Sequence, residues 1–436
     1  MKNSLVWFRN DLRTQDNTSL LRACEGDRVV AVYCFDPRHY GKTEYGFAKT
    51  GKYRAKFLLG SVANLRKNLL EINIPLLIFE GKPETALPKV VREFSITHLY
   101  FQREWTYEEQ LVADALTGNL PSSIEIVETY DQFLFHPADV PYDDLSEIPR
   151  VFTEFRKKCE KYGNIQQPLP LPEARPGEPL DTGQFSTQIP TLKALGHEVF
   201  EIDSRSAVPF DGGEDAAWQR LNDYFWNTKK LRHYKRTRNG LLGTDYSSKF
   251  SPWLANGSLS PRSIYAQVKK FEAEIEKNED TYWLLFELIW RDFFKYVSLK
   301  HGNRLFLLDG ILQKTYSWQY NDAAVQNWIN GNTPYDFVNA NMKEIAETGF
   351  MSNRGRQNVA SYFAKELQQD WRIGASYFES MLIDYDVHSN WGNWQYVSGV
   401  GNDPRDRKFN IESQTQRYDP DGNYVAIWLP EVKTSK

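Results

Sequence analysis

Glu287 lies within a nearly all-apolar helical stretch, WLLFELIWRDFF (283–294), whose other charged residues, Arg291 and Asp292, come after it. The carboxylate of Glu287 is costly to bury there unless it is hydrogen-bonded. Trp290 follows at i+3 and Arg291 at i+4, so the three side chains share one helix face. Two interpretations stay open: a Glu287–Arg291 ion pair beside a packing tryptophan, or a pocket wall with one polar group and one aromatic stacking surface.

Hydroxyl groups and cations crowd the segments before this stretch. A helical pattern begins close to three serines, Ser247, Ser248 and Ser251. Free backbone N–H groups and hydroxyls in such a place bind phosphate, although helix capping by Ser251 or Ser260 is the alternative. The run KKLRHYKRTR (229–238) holds six Lys or Arg residues, which predicts either a solvated charged face or a phosphate-binding stripe.

Amides, arginines, aspartates and indoles recur towards the C-terminal end. GFMSNRGRQNVASYF (349–363) contains Asn353, Arg354, Arg356 and Gln357. The hydrophobic stretch SMLIDYDVHS contains Asp384 and Asp386, and SNWGNWQYV contains Asn390, Trp394 and Tyr396. A buried aspartate requires a cation or a donor, which makes Arg356 the candidate partner of Asp384. Trp318 and Trp371, taken singly, are typical of packing.

Composition sets the class of protein. The chain has 436 residues, 41% of them hydrophobic and 25% charged, which indicates a globular protein of two or three domains. Because the net charge is −4, nucleic-acid binding requires a local basic patch. Three cysteines form neither a disulfide framework nor a metal spacing. With no signal-peptide or membrane-span pattern, we expect a soluble cytoplasmic protein without a metal or a membrane partner.

Two structural patterns divide the chain. Apolar runs at 4–8, 29–35, 74–79, 97–101 and 124–127 alternate with helical stretches, which predicts a doubly wound parallel sheet. Six prolines mark a connector over 164–191, and helical periodicity dominates beyond about 200. We therefore expect an α/β Rossmann-like domain (1–130), an inter-domain connector (131–200) and an all-α domain (201–436). No Gly-x-Gly-x-x-Gly fingerprint follows a strand.

Together these stretches closely resemble the photolyase/cryptochrome family of flavoproteins. The resemblance runs from LVWFRNDLR (5–13) to YVAIWLPE (424–431), and the wording TGFMSNRGRQNVAS with DYDVHSNWGNWQYVSGVGNDPR is similar to the DASH-type cryptochromes. It implies an α/β antenna domain joined to a helical FAD domain. The family's reaction is blue-light-driven splitting of cyclobutane pyrimidine dimers by an electron from reduced flavin.

The resemblance also implies roles for residues around FAD. Asn390 matches the amide that faces N5 of the isoalloxazine. Other matches grip the flavin, ribose and adenine, and these are Asn353, Arg356, Asp384 and Asp386. The phosphate cradle is matched by Tyr234, Ser247, Ser248 and Ser251. Trp394, Trp371 and Trp318 match the family's electron-transfer chain, from proximal to distal.

Further matches concern the DNA lesion, which must leave the stack to reach the flavin. Glu287 matches the carboxylate that holds the dimer, and Trp290 matches an aromatic that stacks on it. Residues matched to DNA contacts are Arg238, Trp290, Arg354, Gln357, Tyr396 and Arg407. Tyr396 and Gln357 replace a tryptophan and a methionine of duplex-active photolyases, so the wall contributes less towards unpairing a duplex. This favours single-stranded DNA. Amides at Asn353 and Gln357 cannot shuttle a proton as the histidines of (6-4) photolyases do.

Three expectations complete the prediction. Glu109 matches the acid that holds the pterin of a methenyltetrahydrofolate antenna. The motif NTPYDFVNANM (332–342) places Asn339 where the family usually has Asp. The main hypothesis is a monomeric repair enzyme for dimers in single-stranded DNA. The alternatives are a blue-light receptor that signals through a partner, and a nucleic-acid binder that keeps FAD for structure alone.

Overall fold

The structure is a computed structural model that describes residues 1–177 and 180–431. Residues 178 and 179 of the predicted connector and 432–436 of the predicted helical domain lie outside the described residues. The N-terminal part is a five-stranded parallel sheet in the order β3-β2-β1-β4-β5. The strands are β1 (Asn3–Phe8), β2 (Arg28–Cys34), β3 (Leu76–Phe79), β4 (His98–Gln102) and β5 (Glu125–Thr129). The predicted doubly wound α/β layout is confirmed.

Four helices cover the two faces of this sheet. They are α1 (Thr18–Ala23), α2 (Lys52–Glu71), α3 (Pro83–Glu93) and α4 (Tyr107–Gly118). One apolar cluster packs under α2 and another under α3 and α4, so the central strands are buried on both sides. The connector covers one sheet edge, because Ile78 N at the edge strand donates to Ser186 O at 2.8 Å.

The second part contains helices throughout its described length. The connector first forms α5 (Phe152–Tyr162). Then come α6 (Glu214–Asn222), α7 (Tyr234–Thr237), α8 (Ser251–Ala255), α9 (Pro261–Glu274), α10 (Glu279–His301), α11 (Asp322–Ile329), α12 (Asp336–Thr348), α13 (Asn353–Ser361), α14 (Trp371–Met381), α15 (Val387–Ser398), α16 (Ile411–Tyr418) and α17 (Asn423–Trp428). Short 3₁₀ or π turns lie at Pro37–Tyr40, Leu145–Glu147, Asp223–Asn227, Lys230–His233, Gly302–Phe306 and Tyr362–Glu366. The predicted all-α architecture is confirmed.

Local sequence sets the ends of the long central helix α10. Asn278 caps its first turn by accepting from Thr281 N, while the Thr281 side chain binds the Asn278 N–H, which is a capping box. Gly302, with φ 52°, ends the helix in a conformation that other residues rarely adopt. Between these ends, α10 carries Glu287, Trp290 and Lys295 past the faces of α7 and α15.

Asn339 closes the turn before α12. Its Oδ1 accepts from Thr333 N at 2.8 Å, and its Nδ2 donates to Thr333 O at 2.8 Å. An aspartate cannot make the second bond, so the amide suits the turn of this chain. In the part of the chain that the structure describes, no helix is long and apolar enough to cross a membrane.

Arg262 on α9 holds the two parts of the molecule together. Its guanidinium donates to Asp16 Oδ1 at 2.7 Å and to Asp131 Oδ1 at 2.9 Å, and all three side chains are almost fully buried. Asp16 Oδ1 also accepts from Leu169 N in the connector at 2.9 Å. One cation therefore neutralises a carboxylate of the α/β part and another at the start of the connector, and the Asp16–Leu169 bond holds a later part of the connector beside them.

Replacing Arg262 with Met should lower the free energy of unfolding by about 3–5 kcal/mol, because two buried carboxylates lose their counter-ion. Urea unfolding followed by tryptophan fluorescence measures the change. Arg28→Met, at the exposed first residue of β2, is the matched control and should leave stability within about 0.5 kcal/mol. Equal stability of the two variants would contradict the importance of the Arg262 ion pairs.

Candidate functional site

One cavity gathers residues from α13, α14, α15 and the turn between the last two helices. Seven of the predicted site residues line it, namely Asn353, Arg356, Gln357, Asp384, Asp386, Asn390 and Trp394. They come from two separate sequence stretches, 353–357 and 384–394, and the packing of α13 and α14 against α15 brings them together.

The aspartates of the turn are held by cations from other helices. Arg356 Nη2 donates to both carboxylate oxygens of Asp384 at 2.9 Å, which confirms the predicted pair. Asp386 accepts from Lys295 Nζ at 3.0 Å and caps α15 by accepting from Ser389 N at 2.7 Å. Burial alone would raise the pKa of Asp386, but Lys295 and the other nearby donors and cations hold it well below its usual range. Asp386 is therefore an ionised acceptor at the cavity wall, and Asp384 is held beside it by Arg356.

Asn390 and Trp394 are fixed against α14. Asn390 Nδ2 donates to Ala375 O at 3.0 Å, which orients the amide. The indole of Trp394 lies directly against Gly374, where an added Cβ would meet Cη2 at 2.2 Å. Trp394 also meets Phe378 edge to face, with centroids 5.1 Å apart. A glycine is required at this contact because it alone leaves room for the ring.

The remaining two predicted chain tryptophans lie in the same apolar cluster as Trp394. Trp371, fully buried at the start of α14, donates from Nε1 to Leu308 O at 3.1 Å. Trp318 is partly exposed, and Gln319 N next to it donates to Gln368 O at 2.7 Å, which holds the segment near α14. Trp391, to which the sequence assigned no role, contacts Trp371 with centroids 5.8 Å apart. These four indoles therefore share one apolar cluster, with Trp318 at its partly exposed border.

The predicted phosphate cradle is ordered by Arg220. Its guanidinium donates to Ser247 O at 3.2 Å and to Ser248 O at 3.1 Å. Tyr234 is buried at the start of α7, whereas the Ser251 side chain is exposed and makes no capping bond in the described structure. Ser260 caps α9 instead, accepting from Arg262 N and Ser263 N, as the capping alternative predicted.

Lys249 is the residue of this cradle that sequence reasoning left without a role. Its backbone has φ 61°, and its ammonium group is buried with no hydrogen-bond acceptor among the described residues. Burial lowers its pKa well below the ordinary value, and Glu344, Arg356 and Asp384 contribute to its electrostatic field. Its Nζ lies 2.9 Å from the centroid of the Tyr246 ring, and an amino group that lacks a hydrogen-bond acceptor here fits a ligand that brings one, such as the diphosphate of FAD.

Glu287 pairs with a different residue from the predicted one. Arg238 Nη1 lies 2.8 Å from Glu287 Oε1, while Arg291 donates to the backbone carbonyls of Gln132 and Leu254. The interpretation of Glu287 and Arg291 as an ion pair is therefore wrong, because the Arg291 side chain is turned towards the junction with the α/β part. Burial raises the pKa of Glu287, and Arg238 opposes this shift.

Trp290 stacks on Phe152 of α5, with centroids 3.7 Å apart and planes 12° apart. It meets Tyr396 edge to face at 5.9 Å. Tyr396 OH in turn accepts from Arg407 Nη2 at 3.1 Å. The connector helix thus supports the aromatic surface, a contact that no local sequence pattern indicates.

The basic run 229–238 is mostly neutralised by acids around the start of α10. The pairs are Lys230–Asp245, Arg232–Glu276, Lys235–Glu279, Arg236–Asp280 and Arg238–Glu287. The basic run is therefore not simply a solvated charged face, and it is not an open phosphate-binding stripe either. A second set of cations lies near Arg354, whose guanidinium donates to Gln357 Oε1 at 2.9 Å and stacks on Tyr418 at 4.6 Å. Burial lowers the pKa of Arg354, and the nearby charges of Arg238, Arg417 and Arg407 lower it further.

Glu109 lies in the first turn of α4 and accepts a hydrogen bond from Thr106 Oγ1. Burial, with a contribution from nearby Glu104, raises its pKa to about 7. This side-chain contact is local to the start of α4, and it leaves the predicted antenna role as a proposal.

The sequence matches two family models along most of its length. A model described as DNA photolyase covers residues 4–175, and one described as the FAD binding domain of DNA photolyase covers residues 283–436. The chain therefore belongs to the photolyase/cryptochrome family of flavoproteins.

Its similarities within that family are to the DASH-type cryptochromes. A cryptochrome DASH of Gloeobacter violaceus is 48% identical over 99% of this chain and 86% of its own length. A cryptochrome DASH of Danio rerio is 45% identical over 98% of this chain and 83% of its own length. The crystal structure of Synechocystis sp. PCC6803 cryptochrome superposes with a TM-score of 0.95 at 46% identity, covering 100% of this chain and 90% of that one. The crystal structure of a class III photolyase of Agrobacterium tumefaciens superposes with a TM-score of 0.83 at 26% identity, covering 99% of this chain and 87% of that one.

Gly374→Ala should displace Trp394 from the cavity wall, because the new methyl group overlaps the indole. We expect a loss of about 1–3 kcal/mol of stability from overpacking, together with a lower ratio of FAD to protein after purification. Urea unfolding and the flavin absorption of the purified protein measure the two effects. Gly118→Ala at the end of α4, where an added Cβ meets nothing within 4 Å, is the control. Unchanged flavin content in Gly374→Ala would contradict the tight Trp394 contact.

Proposed function

We propose that the protein is a monomeric, light-driven photolyase that splits cyclobutane pyrimidine dimers, preferentially in single-stranded DNA. FAD, when bound, supplies the light-excited electron donor for this reaction. The residues of the chain bind and orient the cofactor, hold the lesion next to it and exclude water. Membership of a family with an FAD-binding domain supports the cofactor, and the site geometry supports the binding of the lesion.

We assign the cofactor to the cavity and the cradle beside it. The diphosphate would lie against Ser247, Ser248, Ser251 and Tyr234, where the buried Lys249 ammonium lacks an acceptor. Asp384, held by Arg356, would accept from the adenosine or flavin side of the ligand. Asn390, fixed by Ala375, would face the reactive ring, and Asn353 would contribute a further amide at the cavity wall.

The observation that carries the lesion assignment is the Glu287–Arg238 pair beside the Trp290 surface. A partly buried carboxylate on an apolar helix can accept from the N–H of a pyrimidine ring, and an indole can stack on it. In the free protein Arg238 neutralises Glu287. When DNA binds, a backbone phosphate would compete for the same guanidinium, which would release the carboxylate to the lesion.

The wall opposite Trp290 supports a preference for single strands. Tyr396 presents an edge to Trp290, and its hydroxyl is committed to Arg407. Gln357 is a polar amide that accepts from Arg354. These side chains offer less apolar stacking area than a second indole would. They therefore offset less of the few kcal/mol that unpairing a duplex requires. Arg354 and Arg407 would contact the backbone.

An antenna pigment, methenyltetrahydrofolate, is a further proposal at Glu109. A carboxyl group with a raised pKa, close to the junction of the two parts, suits hydrogen bonding to a pterin. Loss of folate from purified Glu109→Ala, with FAD retained, would test this role.

A second candidate function is a blue-light receptor or regulator that needs no repair chemistry. The apolar cluster that holds Trp394 and Trp371, with Trp318 at its partly exposed border, favours it, because photoreduction through these rings would serve signalling as well as repair. The repair experiment below separates the two functions.

Purified flavoprotein illuminated with blue light, without oxygen and with reductant, should remove dimers from single-stranded oligo(dT) and few from the duplex. Glu287→Ala should abolish dimer loss, because the lesion loses its carboxylate partner. Glu279→Ala on the same helix, whose exposed carboxylate pairs with Lys235, should repair normally. Photoreduction of the flavin without dimer loss on either strand would reject the lyase and make the receptor primary.

The Arg238–Glu287 pair predicts a pH effect. Removing the cation in Arg238→Met removes the influence that opposes burial, so the pKa of Glu287 rises further. The pH at which lesion affinity changes because Glu287 titrates should therefore be higher in Arg238→Met than in wild type. This direction holds whether the ionised or the protonated carboxyl group binds the lesion. Fluorescence anisotropy of a dimer-containing oligo(dT) from pH 5 to 9 measures the shift. Arg236→Met, whose side chain pairs with Asp280, should keep the wild-type profile. Coincident profiles for the two variants would contradict the coupling.

A further inference from the structure

Tyr316 lies one ring contact beyond Trp318. The two ring centroids are 5.4 Å apart with planes at 53°, and Trp318 N donates to Tyr316 O at 3.0 Å in a tight turn. Both rings border the apolar cluster whose buried members include Trp371 and Trp394. An aromatic neighbour at this distance is in van der Waals contact, which is the separation that favours a short electron-transfer step.

The phenol of Tyr316 is hydrogen-bonded to a base. Its hydroxyl donates to Asp406 Oδ2 at 2.7 Å, across 90 residues of sequence. The other carboxylate oxygen of Asp406 accepts from Lys365 Nζ. The same ammonium group lies 4.8 Å from the Tyr316 ring centroid. A redox-active side chain, a proton acceptor and a fixed cation therefore meet at the partly exposed end of the tryptophan region.

We propose that Tyr316 is the terminal electron donor of the aromatic chain and that Asp406 accepts its proton. One electron passes from the Tyr316 phenol to the oxidised, cationic indole of Trp318 and restores that indole. The phenolic proton crosses the hydrogen bond to the Asp406 carboxylate. The products are neutral Trp318, a neutral tyrosyl radical and a neutral carboxylic acid, so charge and electrons balance.

The charges around the ring explain why proton and electron must leave together. The Lys365 ammonium opposes a second positive charge on the Tyr316 ring, so oxidation is favourable only if the proton departs. Burial and the bond to Asp406 raise the pKa of Tyr316 to about 12, so the phenol holds its proton before oxidation. Partial burial raises the pKa of Asp406, but Lys365 and Tyr316 outweigh this and keep it below its ordinary value. The Asp406 carboxylate is therefore ionised and can accept the phenolic proton of Tyr316.

Proton transfer would also prolong charge separation. Return of the electron to Tyr316 would require the proton to come back from Asp406, whereas return to a tryptophan radical cation requires no proton. The chain would then hold the separated charges longer than three tryptophans alone. This assignment rests on the proposed photoreduction through Trp394, Trp371 and Trp318.

The test is transient absorption and pulsed EPR of the FAD-containing protein after a blue flash. Wild type should show a tyrosyl radical that appears as the Trp318 radical decays, with slower formation in D₂O. Tyr316→Phe should lose the tyrosyl signal and leave a Trp318 radical that outlasts its wild-type counterpart but recombines with the flavin sooner than the wild-type tyrosyl radical does. Asp406→Asn should keep the ring contact but form the tyrosyl radical more slowly and in lower yield. Tyr320→Phe, two residues beyond Trp318 at a 70% exposed tyrosine, should match wild type.

The outcomes separate this inference from the proposed function. A tryptophan radical in wild type that is unaltered by Tyr316→Phe, with no tyrosyl signal, would overturn the role of Tyr316 and leave the tryptophan chain intact. Absence of any light-induced aromatic radical, or full persistence of the signals in Trp318→Phe, would overturn the chain and the extension together. Flavin content and circular dichroism of each variant verify that it has folded.

Discussion

The buried triad of Arg262, Asp16 and Asp131 is the constraint on which the rest of the arrangement depends. Desolvating one guanidinium and two carboxylates is expensive, so the three groups must meet in one geometry or the fold is penalised by several kcal/mol. Their geometry fixes α9 and the connector against the α/β part. The nearby Arg291 side chain is held at the same junction by two backbone carbonyls, which in turn sets the direction of α10 and hence of Glu287 and Trp290.

The same cost of desolvation organises the cavity. Each aspartate of the turn between α14 and α15 has a cation of its own, Arg356 for Asp384 and Lys295 for Asp386. Lys249 is different, since its buried ammonium group has no acceptor in the described structure. Because buried polar groups are usually hydrogen-bonded, such a group indicates where an anionic ligand completes the site. The cavity wall is therefore ion-paired at Asp384 and Asp386, and the predicted phosphate cradle holds the amino group that lacks an acceptor.

Electrostatics also limits which cations are available to a polyanion. The net charge is −4, and the most basic run of the sequence is paired with acids that follow it in the fold. The arginines around Arg354 repel one another and stack on aromatic rings, so they would gain most from a phosphate. Arg238 belongs to both groups, because it neutralises Glu287 and lies within the field of Arg354. Nucleic-acid binding and lesion binding would therefore be coupled through one guanidinium.

The sequence by itself determined the strands, the long helices, the change from an α/β to an all-helical part, and the Arg356–Asp384 pair. Periodicity and the cost of burying a lone carboxylate act over short stretches or name a residue type, so they can be read along the chain. The structure alone decided that Glu287 pairs with Arg238, that Phe152 supports Trp290 and that Tyr316 meets Asp406. Several partners satisfy each of those groups equally well by type. Only the packing of distant helices determines which of them comes within reach.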